Sequence, residues 1–182
     1  MTNFPHSPRI LKGGLVLLDP ATSAVMRVIA LQYNADTLSR SLQVQAVSAG
    51  DGADRSEALR IKAAAVETIK LDAEIDATDQ MEFPEQNSNV GLYGIFPQLA
   101  LLETLVYPTS AQLQSNDSLQ GSGSLEILPM EAPLTLFVWS STRVLPVRVT
   151  DLSITEEAFD TSLNPIRAKV SLGLRVLTVS DL

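Results

Sequence analysis

The chain has 182 residues, 45% of them hydrophobic and 19% charged, a composition that supports one globular domain with a sizeable core. Thirteen basic against twenty-one acidic residues give a formal charge of -8, which disfavours a nucleic-acid backbone as partner. Cysteine is absent, and this excludes a disulfide scaffold, a thiol nucleophile and every thiolate-ligated metal site.

Residues 1–12 read as an extended arm, because Pro5 and Pro8 deny helix and remove donors that a central strand would need. His6, the sole histidine, sits there without a second ligand or a nucleophile beside it, so neither a metal nor a general-base role is expected. The stretch lacks the apolar segment of a secretory signal, and no run of about 18 apolar residues follows. The sequence therefore predicts a soluble chain that assembles in the cytoplasm without direct membrane insertion.

Residues 15–18 and 24–33 flank Asp19-Pro20-Ala21-Thr22-Ser23 and predict a hairpin with a long loop. A third strand follows, with Leu42, Val44 and Ala46 on a face expected to be buried and Ser41, Gln43 and Gln45 on a polar one. Residues 51–57 have some character of a calcium loop but lack its D-x-D-x-D-G spacing, and read as a solvated loop. From Glu67 to Asp76 the chain alternates cleanly, with Ile69, Leu71, Ala73 and Ile75 inward and Thr68, Lys70, Asp72, Glu74 and Asp76 outward. Neighbouring carboxylates on such a face stand about 6.5 to 7 Å apart, a spacing that a glycosidase pair could use. A catalytic pair also needs one carboxyl in an apolar pocket, and nothing in this strand supplies one. Asp72, Glu74 and Asp76 therefore read as a solvated acidic stripe.

One helix is predicted over 91–107, where Ile95, Leu99, Leu102 and Val106 recur at helical spacing, Pro97 suits the first turn and Pro108 stops it. Its apolar residues run nearly all round, which calls for cover on more than one side. Residues 109–124, rich in Ser, Gln, Asn and Gly, read as a flexible surface loop. Ser122 and Ser124 lack the G-x-S-x-G context of a hydrolase nucleophile.

The last third, 134–182, reads as an antiparallel β unit. A strand over 134–139 contains Phe137 and Trp139 and ends at Ser140-Ser141. A half-buried strand follows over 144–154, which Pro146 places at an edge or a strand start. The longest period-two run in the chain covers 166–179, with Ile166, Ala168, Val170, Leu172, Leu174 and Val176 on one face. Altogether the pattern predicts a mainly β fold with minor α content, a single domain over 13–182 built as a barrel or sandwich closed off by the mid-chain helix.

Phe137-x-Trp139, then Pro146-Val147-x-Val149, Glu156-Glu157-x-Phe159-Asp160 and Leu163-Asn164-Pro165-x-Arg167-Ala168 with the alternating strand after them, resemble the tube-type proteins of contractile injection systems, the phage-tail-like particles. Gln32-Tyr33-Asn34 with Leu38 and Arg40, and the acidic strand ending Asp76-Ala77-Thr78-Asp79, agree with the same family. Ala35 stands where relatives often have proline and Ser140 where glycine is common, and both bear on loop shape. The resemblance implies a tail-tube-like barrel that joins copies of itself into a hexameric ring with a central channel. It implies the role of a ring that joins the baseplate hub or spike to the inner tube, or caps the tube. The partners are then further copies of the chain and the tube, hub, spike and baseplate proteins of the same particle. Phe137, Trp139, Pro146, Phe159, Asn164, Pro165 and Arg167 become the expected core and assembly residues, and Asp72, Glu74 and Asp76 are expected on the channel wall or outer surface. Relatives often append a LysM module, for which this chain leaves no room after the β unit.

No catalytic, cofactor or metal site is expected. The alternatives are a repeated inner-tube subunit, which would use the same fold, and a ligand- or carbohydrate-binding β module, which would display aromatics on one face. An enzyme would have to work with carboxylates alone.

Overall fold

The computed structural model describes residues 11–19, 22–46, 61–108, 114, 134–178 and 181. The expected N-terminal arm is seen only at Leu11 and Lys12, and the loops 51–57 and 109–124 lie outside the described residues apart from Gln114. The elements in chain order are β1 (Gly14–Leu18), β2 (Val25–Ala30), β3 (Leu38–Ala46), β4 (Ile61–Asp76), α1 (Thr78–Met81), α2 (Ser88–Tyr93), α3 (Phe96–Glu103), β5 (Leu134–Ser140), β6 (Arg143–Phe159) and β7 (Pro165–Val176). The strands form one 7-stranded sheet in the order β2-β1-β5-β6-β7-β4-β3, and every neighbouring pair is antiparallel. The protein is mainly β with minor α, as the alternating sequence requires.

The two cleanest alternations lie side by side. β4 and β7 pair from Thr68↔Arg175 to Asp76↔Arg167, so Ile69, Leu71, Ala73 and Ile75 share a buried face with Ala168, Val170, Leu172 and Leu174. That face joins Leu15 and Leu17 of β1, Ile29 of β2 with Leu31 after it, Phe137 of β5 and Val147 of β6 in one cluster. β6 is 17 residues long and pairs first with β5 and then with β7, slipping register between Val149/Asp151, Glu156/Ala158 and Ala158/Phe159. Such bulges bend a strand and let one sheet curl over its own core. Pro146 is near the start of β6, as expected, but β6 is an interior strand and not an edge. The proline keeps its acceptor in use, since its carbonyl receives Leu177 N–H at 2.8 Å.

The predicted single helix is broken in two. Gly94 takes φ 58° between α2 and α3, and a Cβ there would stand 2.2 Å from the Pro165 carbonyl oxygen. Only glycine fits both the left-handed conformation and that approach. Ile95 N–H then donates to the same Pro165 carbonyl at 2.9 Å, which docks α3 on the start of β7. Pro97 lies in the first turn of α3, as the sequence predicts. Helical spacing also pointed to Val106 as a core residue, yet α3 ends at Glu103 and the turn that follows buries Leu105 and leaves Val106 exposed. Ile95, Leu99 and Leu102 are buried as expected.

Candidate assembly surface

The family-like motifs act first as clamps that set the shape of the sheet. The Gln32 side-chain amide donates to the Asp76 carbonyl and accepts Asp76 N–H at 3.0 Å, tying the end of β2 to the end of β4. Asn34 accepts Gly13 N–H at 2.9 Å and donates to the Leu11 carbonyl at 2.8 Å. These two amides of Gln32-Tyr33-Asn34 thus complete main-chain groups at strand ends without a ladder. A cavity of about 100 Å³ remains between β2, β4 and α3, lined by residues that include Ile29, Leu31, Ala73, Ile75, Gln98 and Leu102. In the turn before β7, Asp160 accepts Ser162 N–H at 2.7 Å, Asn164 N–H at 2.8 Å and Asn164 Nδ2–H at 2.9 Å. Donation from Asn164 dominates and holds the Asp160 carboxyl below its ordinary pKa. Asn164 Nδ2 also reaches the Leu92 carbonyl at 3.3 Å.

The expected core and assembly residues do not share one environment, and Pro146 is partly buried within β6. Phe137 and Pro165 are fully buried. Trp139 is only half-buried, beside Phe137 at a ring-centroid distance of 6.0 Å and against Gly13, so the reading of Trp139 as an interior residue is corrected to a residue of the core margin. Phe159 is exposed and is no core residue, because the bulged end of β6 carries it past the last core layer. Asn164 and Arg167 form the turn and a charge clamp respectively.

The acidic stripe is not a bare run of like charges. Arg167, opposite Asp76 on β7, donates to its carboxylate at 2.7 Å and stands 3.7 Å from Glu74. Ser171 Oγ donates to Asp72, and Lys169 reaches across to Glu157 on β6 at 2.8 Å. Partial burial pushes the Asp76 carboxyl upward, but hydrogen bonds from Thr78 together with Arg167 outweigh it and hold its pKa below the ordinary value. Asp72 and Glu74 are exposed and wall a cleft of about 550 Å³ with Tyr33, Asp36 and Lys169. The basic partners on β7 belong to the polar face of an alternating strand, so their match to the β4 carboxylates follows only once the pairing register is known. Among the described residues no three His, Cys, Asp or Glu side chains converge on one point.

Two features of the described surface leave large apolar side chains exposed. The first is the outer part of the β3–β4 hairpin, beyond the Arg40–Glu67 ion pair. The sequence predicts a buried apolar face on β3, yet Leu42 is 55% exposed, Val44 63% and Ile61 of the partner strand 69%. The physical reason is length: β4 runs 16 residues, its buried residues begin only at Ile69, and before Thr68 it pairs, among the described strands, with β3 alone. The second is the outward side of the opposite half of the sheet. Val28, Val16, Leu136 and Pro146 follow one another in register across β2, β1, β5 and β6 on the face away from the core, and Val25, Met26 and Val28 of β2 are exposed. Among the described residues, β2 and β3, the outermost strands, each have one edge without a strand partner.

No protein-family model matches the chain, and no curated protein matches it.

Proposed function

We propose that the chain is a structural, non-enzymatic subunit of a contractile injection system, a ring-forming protein that joins the baseplate hub or spike to the inner tube or caps that tube. The observation that carries this reading is the projecting β3–β4 arm with its uncovered Leu42, Val44 and Ile61, taken with the tube-type motif blocks of the sequence. An apolar hairpin face and an open strand edge are unfavourable in water and call for a protein partner. The arm and β3 lie at one end of the strand order and β2, with its exposed Val25, Met26 and Val28, at the other. A contact between unlike ends is head-to-tail, and when its rotation closes it generates a ring with no free end. Further copies of the chain are thus the first partners, and tube, hub, spike and baseplate proteins the next, in a phage-tail-like particle built in the cytoplasm.

The test is the copy number of the chain in purified contractile particles, by quantitative mass spectrometry against sheath and spike. About six copies support a single adaptor or cap ring, by the closed symmetry of such assemblies. Tens or more favour a repeated tube subunit, and absence from complete particles refutes the proposal. One observation favours the ligand-binding alternative: of the eight described aromatic residues, all but Phe137 and Trp139 are exposed, namely Tyr33, Phe83, Tyr93, Phe96, Tyr107 and Phe159. Four of these six lie on the α1–α3 segment and the turn after it, not on one strand face. A saturable hit on a glycan array would put that alternative first.

A further inference from the structure

The end of the molecule around the Asp160–Asn164 turn carries five exposed large apolar side chains among the described residues: Leu92, Tyr93, Phe96, Phe159 and Leu163. Three contacts bring them together. Asn164 bonds the Leu92 carbonyl, Ile95 N–H bonds the Pro165 carbonyl, and Phe159 sits opposite Pro165 in the ladder. Among the described residues Leu163 is the most exposed of the large apolar side chains at 78%, and it adopts φ 64°, a left-handed conformation that glycine or asparagine takes at lower cost. The turn is held in that shape by three bonds to Asp160 and by Leu163 N–H on the Asp160 carbonyl at 3.1 Å. The fold thus holds an apolar side chain out in water at a strained position.

The stretch of chain that supplies Leu92, Tyr93 and Phe96 carries charge of one sign. Between Lys70 and Arg143 the sequence has ten Asp and Glu residues and no Lys or Arg. In the described part of that stretch, the helical segment that leads to the patch bears Asp79, Glu82, Glu85 and Glu103. The nearest cations are already engaged, Arg167 with Asp76 and Glu74 and Lys169 with Glu157. Among the described residues Glu82, Glu85 and Glu156 have no ion-pair partner.

We propose that this end is a docking surface for a protein segment of different sequence that carries Arg or Lys between apolar side chains. The apolar residues of such a segment would cover Leu92, Leu163 and the aromatics, and its cations would meet the unpaired carboxylates and stack on Tyr93, Phe96 or Phe159. A second copy that presented this same face is a poor occupant, because it would set the same unpaired carboxylates against their like. Anionic lipid and nucleic acid are repelled for the same reason. The proposal concerns a different surface from the arm and does not depend on ring formation.

The experiment titrates the full chain by calorimetry with two synthetic amphipathic helical peptides of identical Leu and Trp content, one with Lys and Arg at its polar positions and one with Glu. The basic peptide should bind at least about tenfold more tightly than the acidic one, and the preference should shrink as salt is raised. A Leu92→Ser, Leu163→Asn double variant should lose at least about tenfold in affinity for the basic peptide. Asparagine tolerates the left-handed position, so the turn is kept, and an unchanged melting temperature verifies it. Equal affinity for both peptides, no binding up to about 1 mM, or full binding by the double variant would overturn the proposal. Native mass spectra of the same samples report ring formation separately. Rings that vanish in the double variant would assign this face to contacts between copies and also overturn it. A chain that stays monomeric yet keeps the basic preference refutes the ring and leaves the docking surface standing.

Discussion

Gln32 and Asp76 close the sheet without a strand ladder: one side-chain amide occupies both the N–H and the carbonyl of a residue 44 positions further along the chain. β2 and β4 are far apart in strand order, yet their ends meet here, and α3 covers the space between them. Replacing Gln32 by Ala orphans two main-chain groups at a partly buried seam. We expect a loss of about 1 to 3 kcal/mol in urea denaturation, with faster hydrogen exchange at Asp76 and Ala77. An unchanged midpoint would mean that the seam is held by packing alone.

Gly94→Ala tests the break between α2 and α3. The new methyl meets the Pro165 carbonyl oxygen at 2.2 Å and must adopt φ 58°. With ψ at -134° this positive φ falls in a region essentially reserved for glycine, which costs another residue about 1 to 3 kcal/mol, and displacement of the carbonyl adds to it by breaking the Ile95 bond. A thermal melt within experimental error of the unmodified chain would refute the assignment.

Phe137→Ala and Trp139→Ala should differ in the order opposite to ring size. Phe137 is fully buried and its truncation should cost about 3 to 5 kcal/mol. Trp139 keeps part of its surface in water, so its truncation should cost less, below about 3 kcal/mol. Chemical denaturation of both variants measures the order directly.

Leu42→Ser with Val44→Ser separates folding from assembly. Both side chains are exposed in the single chain, so its stability should change by no more than about 0.5 kcal/mol. Association, read by analytical ultracentrifugation over a range of concentrations, should drop sharply. Normal association in this variant would count against the arm as the contact between copies.

Acid sensitivity follows from Asp160 and Asp76, whose carboxyls are held below the ordinary value of 3.8 in the fold. A carboxyl of this kind contributes stability above its unfolded value and loses it as pH falls through the lower folded one. Stability should thus decline below about pH 4. Asn164→Ala removes the main support of the Asp160 carboxylate. That variant should be less stable at neutral pH and show a shallower decline on acidification. Urea midpoints at a series of pH values give both slopes.

How much of this was legible in the sequence depended on whether a residue's role is local. The alternations over 67–76 and 166–176 announced their buried faces, because one period-two strand against one core leaves little choice. Pro97 marked a helix start for an equally local reason. The break at Gly94 was hidden, since it is imposed by the Pro165 carbonyl from a distant strand. β3 shows the opposite failure. Its pattern called for a buried face, and nothing in nine residues could say that the core ends before they do. The ion pairs of the acidic stripe likewise needed the β4–β7 register, which sequence alone does not supply.

The projecting arm also gives the molecule a gradient in time. Among the described strands its residues pair only with each other, while those of β7 lie between two strands over the buried core. Exchange with heavy water should therefore be fast at Leu42 to Ala46 and slow at Ala168 to Leu174. A partner that covers the arm would slow the first set and leave the second untouched, so the amides of β3 serve as a built-in clock for the moment at which this surface is covered.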